Sequence, residues 1–339
     1  MRKTILTLVA FCAAMTANAT ILRVSNVNGS SAPYSTIQAA HDAASAGDTI
    51  MVDGSNTSYD YTEVEKQLVL IGPGFWINEN GLVQESAPTA TASFLIKAVA
   101  AGTVIEGFTF KSSNMLRINA NDCIVRRCYF WNHGGYIAIT FSRDKVDGSY
   151  SGPNPTGGVI HQNFFADCGI IARFLQGEEI GNMDGMMTNV QITNNIFLKN
   201  EGTEYDINNF SDCYIAYNTM IGKNTYANFR RVHASTIEHN IIKEAKVSYS
   251  NINIVDNNEW SDNVEVGYAE EAIAYETDKD IRDLESIQEY SANYGAFAGD
   301  APYVLSGIPA APVIEDLVVP TTVEAGSKMN VTIKVGIQK

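Results

Sequence analysis

Basic residues are scarce in this chain. Its 339 residues hold 23 Lys plus Arg against 38 Asp plus Glu, a formal charge of −15. That is the wrong sign for a protein that grips nucleic acid through its phosphates, so nucleic acid is excluded as a partner. Long apolar runs are also missing: no stretch reaches 18 uninterrupted apolar residues, and no transmembrane segment is expected. Cysteine is sparse, five in all, and its spacing fits no zinc pattern. There is no P-loop, dinucleotide fingerprint or HExxH, and no Ser, His and Asp stand at a recognisable spacing. Core material, by contrast, is ample. With 45% hydrophobic and 10% aromatic residues, wholesale disorder is excluded. The length allows two ordinary domains or one long solenoid or barrel.

The acidity is concentrated. Residues 256–300 hold thirteen acids against Lys279 and Arg282 alone, so the middle of the chain is nearly balanced and remains open to an anionic ligand. At the other end, Arg2 and Lys3 precede an apolar run from Ile5 to Ala14, and Ala17-Asn18-Ala19 offers small residues where a signal peptidase reads. Residues 1–19 are therefore expected to be a cleaved signal, and the mature protein to be secreted or otherwise extracytoplasmic. A lipid anchor at Cys12 is the rival reading, although Phe11 is bulky for such a site. Removing Cys12 leaves Cys123, Cys128, Cys168 and Cys213, which could form two disulfides or stay as buried thiols.

One short pattern recurs: an aliphatic residue, two variable ones, a ladder residue, one variable, then a large apolar residue. It reads Ile105/Phe108/Phe110, Val125/Cys128/Phe130, Ile160/Asn163/Phe165, Ile192/Asn195/Phe197, Ile215/Asn218/Met220 and Ile237/Asn240/Ile242, with a fading copy at Ile254 and Asn257. Successive ladder positions are 20, 35, 32, 23, 22 and 17 residues apart. A little over twenty residues is one turn of a coil of short strands, and units this small bury an apolar side only by stacking. Asn163, Asn195, Asn218, Asn240 and Asn257 are expected to form one column, each amide donating to one neighbour and accepting from the next. Asn also tolerates the left-handed conformation of a sharp bend.

The ends are expected to differ from the middle. Residues 35–44 read as a short amphipathic helix with a Ser or Thr cap, a plug for the first turn of the coil. Residues 48–54 and 66–71 read as the first strands. Toward the carboxy terminus, Asp280, Ile281, Asp283, Leu284, Ile287 and Tyr290 suggest a surface helix, and residues 313–319 and 330–337 a strand pair or tail.

With Thr36-Ile37-Gln38-Ala39-Ala40, Ala46-Gly47-Asp48-Thr49-Ile50, Ile105-Glu106-Gly107-Phe108-Thr109-Phe110 and the Asn-centred units, residues 30–260 resemble the right-handed parallel β-helix proteins of the pectate-lyase-like superfamily. The resemblance implies an all-β, single-stranded right-handed parallel β-helix of about ten rungs, spanning residues 20–300. A helical cap would stand at its amino end and a small β extension at residues 301–339. It also implies a bacterial-type protein, expected to be monomeric, that engages polysaccharide along a strand face flanked by loops.

Two long spacings carry their extra residues at the same offset, so residues 143–157 and 176–189 should leave one corner of adjacent rungs and form a wall. Beside it, the alternation around Ile118, Ile139 and Phe174 puts Arg117, Ala138, Arg173, Asp206 and then Asn228 or Arg230 outward. Eliminative cleavage of an acidic glycan needs a cation for the uronate and a base for the adjacent proton. Arg117, Arg173, Asp206 and Arg230 are the candidates, with calcium as a candidate cofactor at Glu178, Glu179 and Asp184 or at Asp206. Arg173, Asp206 and Arg230 would equally make an ordinary exposed ion-pair column. Trp131, His133, Tyr136 and Arg143 are candidate sugar-binding residues, although aromatics at such corners also serve packing. The paired aspartates and Gly-His-Gly of the polygalacturonases are missing, and so is the Trp-Ile-Asp-His segment of the main pectate lyases. Binding without catalysis is therefore the first expectation, and a divergent polysaccharide lyase the alternative.

Overall fold

The structure is a computed structural model describing residues 19–81, 89–111, 116–131, 137–172, 186–201, 205–248, 257–309, 312–318, 328 and 331–337. Residues 1–18 of the expected signal lie outside the described residues. Three parallel sheets of ten, seven and nine strands run the length of the molecule, the arrangement of a parallel β-helix. The chain visits them in turn. A representative circuit is Ile124–Arg126 in the first sheet, Tyr129–Trp131 in the second and Ile137–Phe141 in the third. The next circuit repeats it as Val159–His161, Phe164–Ala166 and Gly169–Ala172, each strand pairing in parallel with its predecessor.

The recurring apolar positions explain why the coil closes. Ile105, Val125, Ile160, Ile192, Ile215 and Ile237 face inward from the first sheet, in register and fully buried. Phe110, Phe130, Phe165 and Phe197 face inward from the second, their rings stacked at 4.7, 4.9 and 4.5 Å. Those spacings are close to the separation of paired strands, so the backbone register itself imposes the ring stack.

Between the first and second sheets the chain turns sharply. Cys128 N–H donates to Asn163 Oδ1 at 3.0 Å, Asn163 N–H to Asn195 Oδ1 at 2.9 Å, Asn195 N–H to Asn218 Oδ1 at 3.0 Å and Asn218 N–H to Asn240 Oδ1 at 2.8 Å. Each amide nitrogen also donates to a main-chain carbonyl, as Asn195 Nδ2 does to Ile160 O at 2.9 Å. The column therefore leaves no amide in the dry interior unsatisfied. Asn257 is not its next member. The strand Glu259–Ser261 places Trp260 opposite Ile237, so Asn263 falls at the ladder offset and accepts from Asn240 N–H at 3.0 Å. Trp260 in the aliphatic slot disguised that copy, which restores a spacing of 23 residues. Asn258 ends a second column instead: Cys213 N–H donates to Ser235 Oγ and Ser235 N–H to Asn258 Oδ1.

The left-handed residue of each turn is the one before the ladder position, not the Asn itself. Gly107, Arg127, Gln162, Asn194, Tyr217, His239 and Asp262 all have φ between 48° and 74°. Their side chains consequently leave the coil on its outside. There they hold residues 273–309, which run back along the outer face of the second sheet. Asn194 Nδ2 donates to Ala296 O and Ala298 O, Gln162 Nε2 to Ala301 O and Pro302 O, and Arg127 Nη1 to Ile308 O. The segment covers an apolar outer row, Tyr129, Phe164, Ile196 and Ile241, with Ile281, Ile287, Ala296 and Tyr303. The expected surface helix is thus two short ones, α2 (Asp278–Arg282) and α3 (Glu285–Gln288), whose apolar stripe is buried against a sheet.

At the amino end, α1 (Ile37–Ala43) starts at Thr36, whose Oγ1 accepts from Ala39 N–H at 3.2 Å, and buries Ile37 and Ala40. The first strand is Ile21–Val24, paired with Thr49–Val52, so the coil begins one strand earlier than residues 48–54 suggest. Tyr61–Val64 is a further strand, in the third sheet. Pro312–Val318 and Thr332–Ile337 form an antiparallel pair. Cys123, Cys128, Cys168 and Cys213 are free and buried, and burial pushes the thiols of Cys123, Cys128 and Cys213 up to about 12. Thiols held in that state are inert packing groups.

Candidate functional site

The 273–309 segment lies on the second sheet, and the third sheet presents its outer face on another side of the coil. Its central outward row follows directly from the register: Glu63, Leu95, Arg117, Thr140, Ile171, Asn208, Arg230 and Ser248. This corrects the expected row. Ala138 lies in a register shift between Ile137 and Ile139 and is buried. Asp206 precedes its strand and is 1% exposed. Arg173, His133, Tyr136, Glu178, Glu179 and Asp184 lie outside the described residues. Arg117 and Arg230 share the row but are four strand steps apart, about 19 Å, and so do not act on one sugar unit.

The two inserted loops do return side by side. Thr156 Oγ1 lies 2.8 Å from Thr188 Oγ1, and Gly157 N–H donates to Thr188 O at 2.9 Å. The first loop carries a hairpin, Asp144–Val146 against Ser149–Ser151. Asp144 ties it back to earlier rungs, accepting from Asn119 Nδ2 at 2.7 Å and from Ala98 N–H at 3.1 Å. Arg143 Nη1 reaches Gly152 O within the same loop. Trp131 lies on the second sheet, 6.0 Å from Lys111 Nζ and packed against the apolar cluster under the carboxy-terminal segment, so it takes no part in the third-sheet row.

A different group converges on the row. The Arg230 guanidinium carbon lies 5.3 Å over the Tyr205 ring, and Tyr226 meets Tyr205 edge-on at 5.5 Å. Tyr226 is 39% exposed, and Tyr205 OH reaches Ser248 Oγ at 3.4 Å. Beside Asn208 and Arg230 in their strands stand Asn209 and Arg231, with φ of 70° and 50°. A left-handed conformation costs a residue other than glycine roughly 1 kcal/mol, and two such residues abreast kink adjacent strands together. Asn208 Oδ1, Asn209 Oδ1 and Arg231 Nε are buried atoms with no hydrogen-bond partner. Burial lowers the Arg231 pKa, and neighbouring Arg230 lowers it further. Strained backbone and unsatisfied polar groups in one patch are the marks of a surface shaped for something other than stability.

Beneath the patch Asp206 faces Lys199 Nζ at 3.5 Å and accepts from Asn228 Nδ2 at 2.6 Å. Asp206 is therefore an interior anchor for the strand entrance and not a surface base. Among the described residues no group of three or more His, Cys, Asp or Glu side chains is disposed to hold a metal ion. The patch can offer ring faces to C–H groups, a guanidinium to a hydroxyl or an anion, and amide oxygens to hydroxyl donors. Sequence reasoning found Arg230 but missed Tyr205 and Tyr226, which sit just before the strands Ile207–Ser211 and Phe229–His233. Tyr205 stands two residues and Tyr226 three residues ahead of its strand, so no shared offset marks them in the sequence. No family model, curated protein or solved structure matches the chain.

Proposed function

We propose that this is an exported, monomeric member of the right-handed pectate-lyase-like β-helix proteins that binds polysaccharide on its third sheet without cleaving it. Residues 1–19 serve as its export signal in this reading. The observation that carries the binding is the Tyr205–Arg230–Tyr226 group, two rings and a guanidinium brought together on a strand face that can lie along an extended chain. Sugar rings present C–H faces to aromatic rings and hydroxyls to planar donors, and this group supplies both. A single such subsite contributes on the order of 1–2 kcal/mol, so affinity depends on several sugar units along the row.

Electrophoresis of the full chain through gels containing neutral and uronate-bearing polysaccharides, with and without calcium, tests this reading. Retardation by at least one glycan is expected, with no ultraviolet-absorbing unsaturated product. Unsaturated product that disappears in Arg230→Ala would make the protein a lyase, and migration unaffected by every glycan would end the binding reading.

A further inference from the structure

The interior under the third sheet holds charged groups withdrawn from water. Lys199 and Lys243 are 1% and 2% exposed, and Asp206, itself 1% exposed, lies beside them and pairs with Lys199. Two ammonium groups and one carboxylate withdrawn from water are costly, by several kcal/mol for each ion before pairing. Asp206 Oδ1 accepts no hydrogen bond and faces the Lys199 amine at 3.5 Å. Its other oxygen accepts from Asn228 Nδ2 at 2.6 Å.

Asn228 cannot turn. Its Oδ1 accepts Lys243 N–H at 3.0 Å and Glu244 N–H at 3.4 Å, so Nδ2 is the atom presented to Asp206. The site therefore sets an amine beside one carboxyl oxygen and a fixed amide donor on the other. Attack on a carboxyl carbon needs that geometry: a nucleophile at contact distance and a donor aimed where negative charge develops.

We propose that Lys199 and Asp206 become joined by an intrachain amide bond. The Lys199 ammonium passes one proton to the Asp206 carboxylate, giving a neutral amine and a carboxylic acid. The amine lone pair forms the N–Cγ bond while the Asn228 N–H stabilises the developing charge on Oδ2. The Cγ–Oδ1 bond then breaks, and Oδ1 leaves as water with its own proton and one from the amine. An ammonium and a carboxylate thus become a secondary amide and one water, with no oxidant or cofactor. The product removes two opposite charges from the interior beside Lys243. It also staples the end of the second-sheet strand Ile196–Leu198 to the start of the third-sheet strand Ile207–Ser211, directly below Tyr205.

Tryptic mapping of the purified full chain reads this directly. An amide at Lys199 blocks cleavage there, so residues 174–223 should appear as one peptide, lighter than its sequence mass by one water. Lys199→Arg keeps the positive charge but cannot form the bond, and should restore both the full mass and cleavage after residue 199. Cleavage after Lys199 in the wild-type chain, with both flanking peptides at their sequence masses, would overturn the proposal. So would the loss of ammonia in place of water, because the acceptor would then be a carboxamide such as that of Asn228. Neither readout depends on glycan binding.

Discussion

Two regions of this coil treat their asparagines in opposite ways. At the corner between the first and second sheets, Asn163, Asn195, Asn218 and Asn240 have every amide group engaged, and the left-handed backbone falls on the residue before each of them. On the outer face of the third sheet, Asn208 and Asn209 keep amide oxygens without a partner, and Asn209 and Arg231 adopt unfavourable backbone. The same residue type closes the architecture in one place and is held open in the other. Unpartnered buried amide oxygens beside an exposed ring are what single out the second region.

The largest test of that contrast is Asn195→Ala. It removes the acceptor of Asn163 N–H and the donors to Ile160 O and Asn218 Oδ1, all buried. Stranding several buried groups at roughly 1–3 kcal/mol each should cost about 4 kcal/mol in urea unfolding. A loss below about 1 kcal/mol would make the column incidental. Tyr205→Ala should do the reverse, reducing glycan affinity about tenfold, or roughly 1.4 kcal/mol, while leaving the unfolding midpoint nearly unchanged.

Arg231→Gly sharpens the comparison further. Glycine accepts a φ of 50° freely and removes a buried guanidinium, so stability should rise by about 1 kcal/mol while glycan retention falls. A drop in stability would show that Arg231 serves the fold. A pH series probes the first sheet in the same spirit. Burial, with smaller contributions from Arg127 and Arg126, lowers the His161 pKa to about 4, and the imidazole is neutral in the folded chain. In the unfolded chain it takes up a proton near pH 6.5. Its contribution to stability is therefore full above about pH 6.5 and lost progressively as the pH falls toward 4. His161→Gln should flatten the thermal-midpoint profile across that window. The smallest effect belongs to Arg117→Ala, expected to alter stability by less than about 1 kcal/mol and to leave retention unchanged.

The coil was legible in the sequence because its signal is periodic. Ile160, Asn163 and Phe165 recur at fixed offsets, and parallel pairing turns equal offsets into vertical stacks. The column was lost only where Trp260 replaced the aliphatic residue and hid Asn263. The outward row of the third sheet was less legible, since the register shift at Ala138 and the kinks at Asn209 and Arg231 break the two-residue alternation on which such a reading depends. Asp206 was misplaced for the same reason, one residue ahead of a strand and turned inward. The covering of the second sheet by residues 273–309 left no periodic trace. It is built from side chains of the left-handed column meeting backbone carbonyls of a segment up to 181 residues away in sequence.

Arg117→Ala and Arg230→Ala occupy the same row, four strands apart, which makes them a matched pair. Run side by side in a gel containing a glycan that retards the wild type, Arg117→Ala should be retarded as the wild type is, and Arg230→Ala should be retarded markedly less. Equal retardation of the two variants would contradict the assignment of binding to the Tyr205–Arg230–Tyr226 patch.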